Sequence, residues 1–500
     1  MNAFILRLFG TFHDRNITYC HFKSNNNLVP ALNGVDDLDL LVAKKDVDAF
    51  MQVLAEYGYR LASDRNAVPT PFVYHFFGID PETGLIVHLH VYFRMITGGS
   101  ILKNHWIRVE SMLLAQSAPK GEGGVFIPSA EADLILFVIR KYIEQPSLVE
   151  HYLFLKDWGN INAELKWLVA RADRKVMHAL VEQWLPEVPV TLVEDGLDIL
   201  LRKGGVVERV RHGLRMRSCF QNTVYSDLKA SLMRSAMFFI AYMRPRLRLT
   251  RKERFLFPGG MLVAFTGSEA SGKSTLSLEV AKWLGERFDV SHIHLGKPNK
   301  NWRTRPLWMC IRLYSLIKRK IKKQDDVDER VVQEKADRTD FNLPNPVVCW
   351  LDSVDRKCWL RSHFFRVMRG GVVVTDRYPA REVGGLDGAR IQPTGFFTGK
   401  LSKWEKANYE VLPTPDIVFR AIAPLEVTLL RNSQRENPEP QGFVRQRYEL
   451  AKKINFSYCE FIDIDTTLGF DGTLLNVQSK IWGVKKVLDV RPSSGMEKGS

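Results

Sequence analysis

Apolar positions repeat in two different ways along this chain. Up to about Phe126 short alternating runs are mixed with helical ones. "ITYCHFK" (17–23), "LDLLV" (38–42) and "GLIVHLHVYF" (84–93) read as strands, and "KDVDAFMQVLAEYGYRL" (45–61) as a helix. The opening "MNAFILRLFGTFHDRN" reads as a first helix. "SAPKGEGGVFIPS" is a Gly/Pro boundary, and from "SAEADLILFVIRKYI" to about Tyr242 the pattern is mostly helical, with Ser129 as the expected cap. "MRPRLRLTRKERFLFPGG" (243–260) reads as a basic linker. Beyond it the short apolar runs "MLVAFT", "VVVTD", "DIVFRAI" and "EFIDID" alternate with amphipathic helices. That alternation predicts a parallel α/β sheet covered by helices. The expected organisation is an α+β domain over 1–127, a helical region over 128–242, the linker, an α/β domain over 261–490, and a disordered Ser/Gly-rich tail over 491–500. No internal repeat is visible.

Composition adds limits. Five hundred residues exceed what one core supports, and 45% hydrophobic with 25% charged residues is ordinary for a globular chain. The N-terminal helix lacks a signal-peptide cleavage pattern, and the longest apolar candidate, "AMFFIAYM" (236–243), is too short to cross a bilayer. Six scattered cysteines without metal spacing suit a reducing compartment, so a cytoplasmic location is expected. The net charge of +15 is local. Residues 206–254 carry 12 Lys/Arg against 3 Asp/Glu, and residues 301–323 carry 8 Lys/Arg and no acid. Such stretches attract phosphates, nucleic acid or an anionic membrane face.

The decisive stretch is "FTGSEASGKST" (265–275), between an apolar run and an amphipathic one. It fits G-x-x-x-x-G-K-[ST], with Gly267, Gly272, Lys273 and Ser274 at the fixed positions. Glycines allow successive N–H groups to point at anionic oxygens, and the following helix adds its positive end. Residues Gly267, Ser268, Glu269, Ala270, Ser271, Gly272, Lys273, Ser274 and Thr275 are the expected ATP-binding turn. Lys273 would reach the β- and γ-phosphates, and the Ser274 hydroxyl would help hold Mg²⁺.

Two further features narrow the reaction. "GGVVVTDRYPA" (370–380) is a buried strand ending in Asp376-Arg377-Tyr378, and such strand ends line the crevice of a parallel sheet. Asp376 there would position Mg²⁺ through water, and Arg377 would neutralise an acceptor phosphate. In "LPTPDIVFRAIAPLEVTLLRNSQRENPE" (412–439) a strand precedes a helix with Arg431 and Arg435 one turn apart. They either close over a transferring phosphoryl group or are solvated surface charges. The loop after "FIDIDTT" (461–467) is expected near the adenine.

Together these residues resemble the thymidylate kinase family over roughly residues 258–488. "FTGSEASGKST" is similar to that family's phosphate loop, with Glu269 as its acidic residue. "DRY" is similar to its Asp-Arg-Tyr/His motif, and "PDIVFRAIAPLEVTLLRNSQR" to the segment leading into its lid. "DSVDRKCWL" (352–360) resembles the helix whose arginine contacts the acceptor base, which would make Arg356 that residue. The resemblance implies transfer of the γ-phosphoryl of ATP, with Mg²⁺, to a nucleoside monophosphate. Lys273, Asp376, Arg377, Arg431 and Arg435 would serve catalysis, and Glu269, Arg356, Arg377 and Tyr378 would meet the acceptor. After Asp-Arg-Tyr, however, the chain continues "PAREVGGLDGARI" rather than with the family's Ser and Ala-Tyr-Gln elements. A sugar or sugar phosphate of a surface polysaccharide is therefore a second acceptor reading, and a non-catalytic ATP-sensing or assembly protein a third.

"HFKSNNNLVPALNGVDDLDLLVAKKDVDAFMQVLAEYGYR" resembles the start of the nucleotidyltransferase fold. Asp37 and Asp39 would be its Asp-x-Asp pair, facing one way on a strand, with His90 as a further ligand to a divalent cation. Lys23-Ser24 stands where that family has Gly-Ser, and His88 and His90 occupy the later strand in place of an acid. An inactive or ligand-sensing domain is the preferred expectation. The basic stretches either contact an anionic membrane face peripherally or form helices packed on the core, which is preferred. Nucleic acid is not an expected partner, because the aromatics do not alternate with the cations. The partners expected are a small-molecule acceptor and, left open, a second copy of the chain in a homodimer.

Overall fold

The computed structural model describes residues 1–64, 70–98, 103–120, 124–144, 148–220, 254–325, 345–380 and 386–483, with isolated positions between 221 and 253. The expected tail (491–500) and most of the linker lie outside them. The chain divides into two compact units, Met1–Phe257 with Val487–Ser500, and Pro258–Lys486.

The first unit is built on a six-stranded mixed sheet in the order β1 (Tyr19–His21), β2 (Leu38–Val42), β5 (Ile86–Tyr92), β4 (Val73–Ile79), β3 (Arg60–Asp64), β10 (Arg254–Leu256). β2 and β5 run parallel, and the other neighbours are antiparallel. The two-residue period of a strand divides its side chains between two cores. Tyr19, Leu40 and Val91 join Phe9 and Phe12 of α1 (Ala3–Asp14) and Phe50 of α2 (Val47–Glu56). Cys20, Leu41 and Tyr92 join Leu134, Val138 and Tyr142 of α3 (Ala130–Glu144), with further helices between Leu148 and Cys219. Ser129 caps α3 as expected, accepting from the Ala132 N–H at 3.3 Å. The helical region thus shares a core with the sheet. Two hairpins complete the unit: β6 (Ile96–Gly98) with β7 (Lys103–Trp106), and β8 (Ser117–Lys120) with β9 (Val125–Pro128). One expectation needs correction. Residues 254–256, read as linker, form an edge strand against β3, because Phe255 and Leu256 bury there.

The second unit is an all-parallel five-stranded sheet, ordered β12 (Val290–His294), β13 (Val372–Asp376), β11 (Met261–Gly267), β14 (Ile417–Ile422), β15 (Glu460–Asp465). The four expected apolar runs are β11, β13, β14 and β15. All seven residues of β11 are buried, as a central strand covered on both faces requires. The helices are α4 (Lys273–Gly285), α5 (Arg305–Asp325), α6 (Pro346–Met368), α7 (Phe396–Glu410), α8 (Leu425–Ser433), α9 (Gln441–Lys452) and α10 (Phe470–Gly483). Strand order reverses at β11, so the crevice opens at its C-terminal end, where the Gly-rich turn begins.

The preferred packing of the 301–323 segment is not observed. Leu307, Met309, Leu313, Tyr314 and Ile317 of α5 are exposed, since no described element covers that face. Among the described residues no helix is long and apolar enough to cross a membrane. All six cysteines are free.

Candidate functional site

The turn from β11 into α4 is shaped by backbone conformations that few residues accept. Gly267 has φ +142°, and a Cβ there would lie 2.6 Å from the Ala421 carbonyl oxygen on β14. Gly272, just before α4, has φ +90°, and Ala270 has φ +58°. Backbone of this kind allows successive N–H groups to face one side, and it leads into the start of a 13-residue helix. Ser271 Oγ donates to the Ser268 carbonyl at 3.0 Å, and Lys273 Nζ donates to the same oxygen at 2.6 Å. Burial pushes the Lys273 ammonium down to about 8, with Arg377 and Arg447 adding to the effect against Glu269. A phosphate at this position would add negative charge to that which Glu269 and Asp387 already set near the buried lysine.

The Mg²⁺ expectation rests on Ser274 and Asp376. Ser274 Oγ donates to Asp376 Oδ2 at 2.9 Å, so the hydroxyl and the carboxylate converge across the crevice. His294, opposite Asp376 in the β12–β13 register, places Nδ1 2.6 and 2.7 Å from the two carboxylate oxygens. Burial raises the Asp376 carboxyl, but His294 and Ser274 outweigh it and hold it below the ordinary value. Two oxygen donors beside a phosphate cradle suit a hard cation that takes its other ligands from phosphate and water. Among the described residues no group of three or more His, Cys, Asp and Glu side chains is arranged to hold a metal on its own. The sequence reading missed His294; the alternating histidines of "VSHIH" (290–294) at a strand end were its only signal.

Glu269 is the centre of the other side. Its carboxylate accepts two parallel bonds from Arg377, both at 2.9 Å. Arg447 Nε lies 3.2 Å away and Arg435 Nη1 3.7 Å away. Burial raises this carboxyl, but Lys273 and Arg377 dominate together and hold it at about 2. Asp387 is the second anion, 3.7 Å from Arg377 and 3.3 Å from Arg447. Arg377 has φ +55°, the left-handed conformation that turns the chain sharply at the end of β13. Neither Arg447 nor Asp387 was anticipated. Arg447 belongs to a third segment, α9, and nothing in its local pattern marks it.

The remaining expected residues are placed as follows. α8 ends at Ser433, so Arg435 lies just beyond it, yet Arg431 and Arg435 face the same cavity. Arg431 binds the Thr466 hydroxyl at 3.0 Å and the Thr466 carbonyl at 2.8 Å. Arg435 reaches toward Glu269. Both line a cavity of about 480 Å³ with Gly272, Thr275, Thr466 and Phe470. That volume suits a nucleoside beside the phosphate turn, at the loop after β15 expected near the adenine. Arg356 and Tyr378 are buried. Arg356 Nη1 donates to the Asp387 carbonyl at 2.5 Å and the Tyr409 hydroxyl at 3.0 Å, while the Tyr378 hydroxyl donates to the Pro413 carbonyl at 2.7 Å. Both brace the crevice wall. In the first unit Asp37 lies 2.6 Å from His88, and Asp39 2.8 Å from His90 and 3.1 Å from Lys23. His75 and His88 are 2.9 Å apart. Each carboxylate of the expected pair is thus bound to a histidine on the neighbouring strand.

Comparison with known proteins gives a partial likeness. No family model matches the chain. It is 23% identical over 244 residues to the "Uncharacterized ATP-binding protein YghR" of Escherichia coli K12, covering 46% of this chain and 90% of that protein. The protein of the same description from Escherichia coli O6:H1 matches to the same extent.

The ionised Glu269 predicts a pH-dependent contribution to stability. A carboxyl held at about 2 against an ordinary 4.5 stabilises the fold above pH 4.5, and the contribution is lost as pH falls from 4.5 toward 2. Glu269→Gln leaves buried arginines without that charge and costs about 3 kcal/mol at pH 7. Urea denaturation of both proteins should show this gap shrinking between pH 5 and 3. A gap independent of pH would mean that the carboxylate does not hold the cluster.

Proposed function

We propose that the chain binds ATP at the 267–275 turn and transfers its terminal phosphoryl group to a phosphate-bearing small acceptor, as the resemblance to thymidylate kinases implies. The observation that carries this reading is the Glu269 cluster. Three arginines from three segments gather beside Lys273, facing the crevice where β13 ends. Such a group suits the charge of two phosphates brought together. The description of the Escherichia coli relative as ATP-binding supports the nucleotide half of the reading.

The chemistry follows from placement. An acceptor phosphate oxygen attacks the γ-phosphorus, the bond from that phosphorus to the β,γ-bridging oxygen breaks, and ADP leaves. No covalent intermediate with the protein is needed. The turn's N–H groups and Lys273 stabilise charge on the group in flight. Arg377 and Arg447, released in part from Glu269, hold the acceptor phosphate, and Arg435 bridges the two sides. Bound Mg²⁺, held by Ser274 and through water by Asp376, would neutralise phosphate charge. A nucleoside monophosphate is the first acceptor reading. A sugar phosphate is the second, favoured by the internal bonding of Arg356, the expected base contact, and of Tyr378, the other expected acceptor contact.

ADP formation against a panel of nucleoside monophosphates, sugars and sugar phosphates tests this. Turnover with one class identifies the acceptor; tight ATP binding without turnover on any acceptor favours an ATP sensor and overturns the kinase reading. Lys273→Ala should lower turnover at least 100-fold with an unchanged circular dichroism spectrum. Turnover equal to wild type would remove the assignment. Asp37→Ala should leave turnover within a few-fold, and complete loss would show that the units are coupled.

A further inference from the structure

The first unit holds a second concentration of positive charge around a cavity. About 250 Å³ is enclosed by the end of β1, by β5, the β6–β7 hairpin and α3. Lys23, Lys103, Arg140 and Lys141 line it, with Glu144 as the one carboxylate among the lining residues. Glu144 lies 3.8 Å from Lys141, and Asp39, behind the wall, is 3.1 Å from Lys23. Among the described residues Arg140 has no carboxylate within ion-pair distance. Lys103 sits over the Tyr92 ring, 4.5 Å from its centroid, and donates to the Tyr92 hydroxyl. Thr97 and Tyr92 add buried polar groups to the same wall.

Four cations around one partly closed cavity repel one another, and the repulsion is strongest where water is excluded. Burial above all pushes the Lys103 ammonium down to about 7; Asp39 and Glu144 oppose that shift, and Arg140 and Lys23 add to it. An anion in the cavity relieves the repulsion on all four groups at once.

The likeness to nucleotidyltransferases implies a metal-bound nucleoside triphosphate on Asp37 and Asp39. These residues do not fit that group. Each carboxylate is bound to a histidine, Asp39 also to Lys23, and no three-ligand metal group exists among the described residues. The cavity is also smaller than the roughly 300–1,000 Å³ of larger ligand sites.

We infer that this cavity is a metal-independent site for the phosphate group of a small molecule, held by Lys23, Lys103, Arg140 and Lys141. The site is separate from the phosphate turn of the second unit.

The test is calorimetric titration of the full chain in EDTA with inorganic phosphate and, separately, glycerol 3-phosphate. At least one should bind. Tighter binding of the ester points to a phosphorylated metabolite, and equal binding to free phosphate; both support the site. Arg140→Gln and Lys103→Met should each weaken binding at least tenfold. Circular dichroism identifies any variant that fails to fold, and Arg140→Lys, which keeps the charge, should retain most of the affinity. The inference is overturned if neither probe binds without a divalent cation, or if binding survives in both cavity variants. Loss in Lys273→Ala alone would assign the binding to the phosphate turn. The kinase reading is read from ADP formation, so either can fail without the other.

Discussion

Glu269 is one carboxylate buried among Lys273, Arg377, Arg435 and Arg447, and the second unit is organised around that contact. Buried charge is costly unless it is paired, and paired charge fixes geometry. The phosphate turn, the end of β13, the segment after α8 and helix α9 meet at this residue, though they are far apart in sequence. Asp387 repeats the pattern one layer out, and Arg356 holds the Asp387 backbone in place. Anionic ligands would compete with Glu269 for its arginines. The cluster is a brace for the fold and, under the proposed function, a reservoir of cations for phosphates.

The sheet makes this meeting possible. β11 lies between β13 and β14, so its turn has the ends of both strands beside it. Gly267 is needed because β14 passes so close that a side chain would strike the Ala421 carbonyl. On the other side Asp376 meets Ser274, completing a polar wall opposite the arginines. The Gly-rich turn, the Ser274–Asp376 pair and Arg377 come together because parallel strands deliver their C-termini to one edge.

What was legible in the sequence follows from how local each signal is. The phosphate turn could be read because its glycines, lysine and serine serve one short loop. β11, β13 and β14 could be read because buried parallel strands are largely apolar runs, and β2 and β15 because shorter apolar stretches interrupted by acids still mark strands. Arg447 and Asp387 could not, since each gains its role only from a tertiary contact. Arg431 and Arg435 face one cavity, as their helical spacing suggested, although α8 ends between them. Asp37 and Asp39 share a face as expected, yet partners from β5 decide what they can bind. The apolar positions of α5 predicted packing, and periodicity does not reveal whether a covering element exists.

Hydrogen–deuterium exchange of the full chain, with and without magnesium ATP, tests the central claim most directly. If the main-chain amides of 267–275 wrap a polyphosphate, peptides covering that turn and the start of α4 should exchange more slowly with nucleotide bound. Exchange there that is unchanged at saturating magnesium ATP would contradict the account.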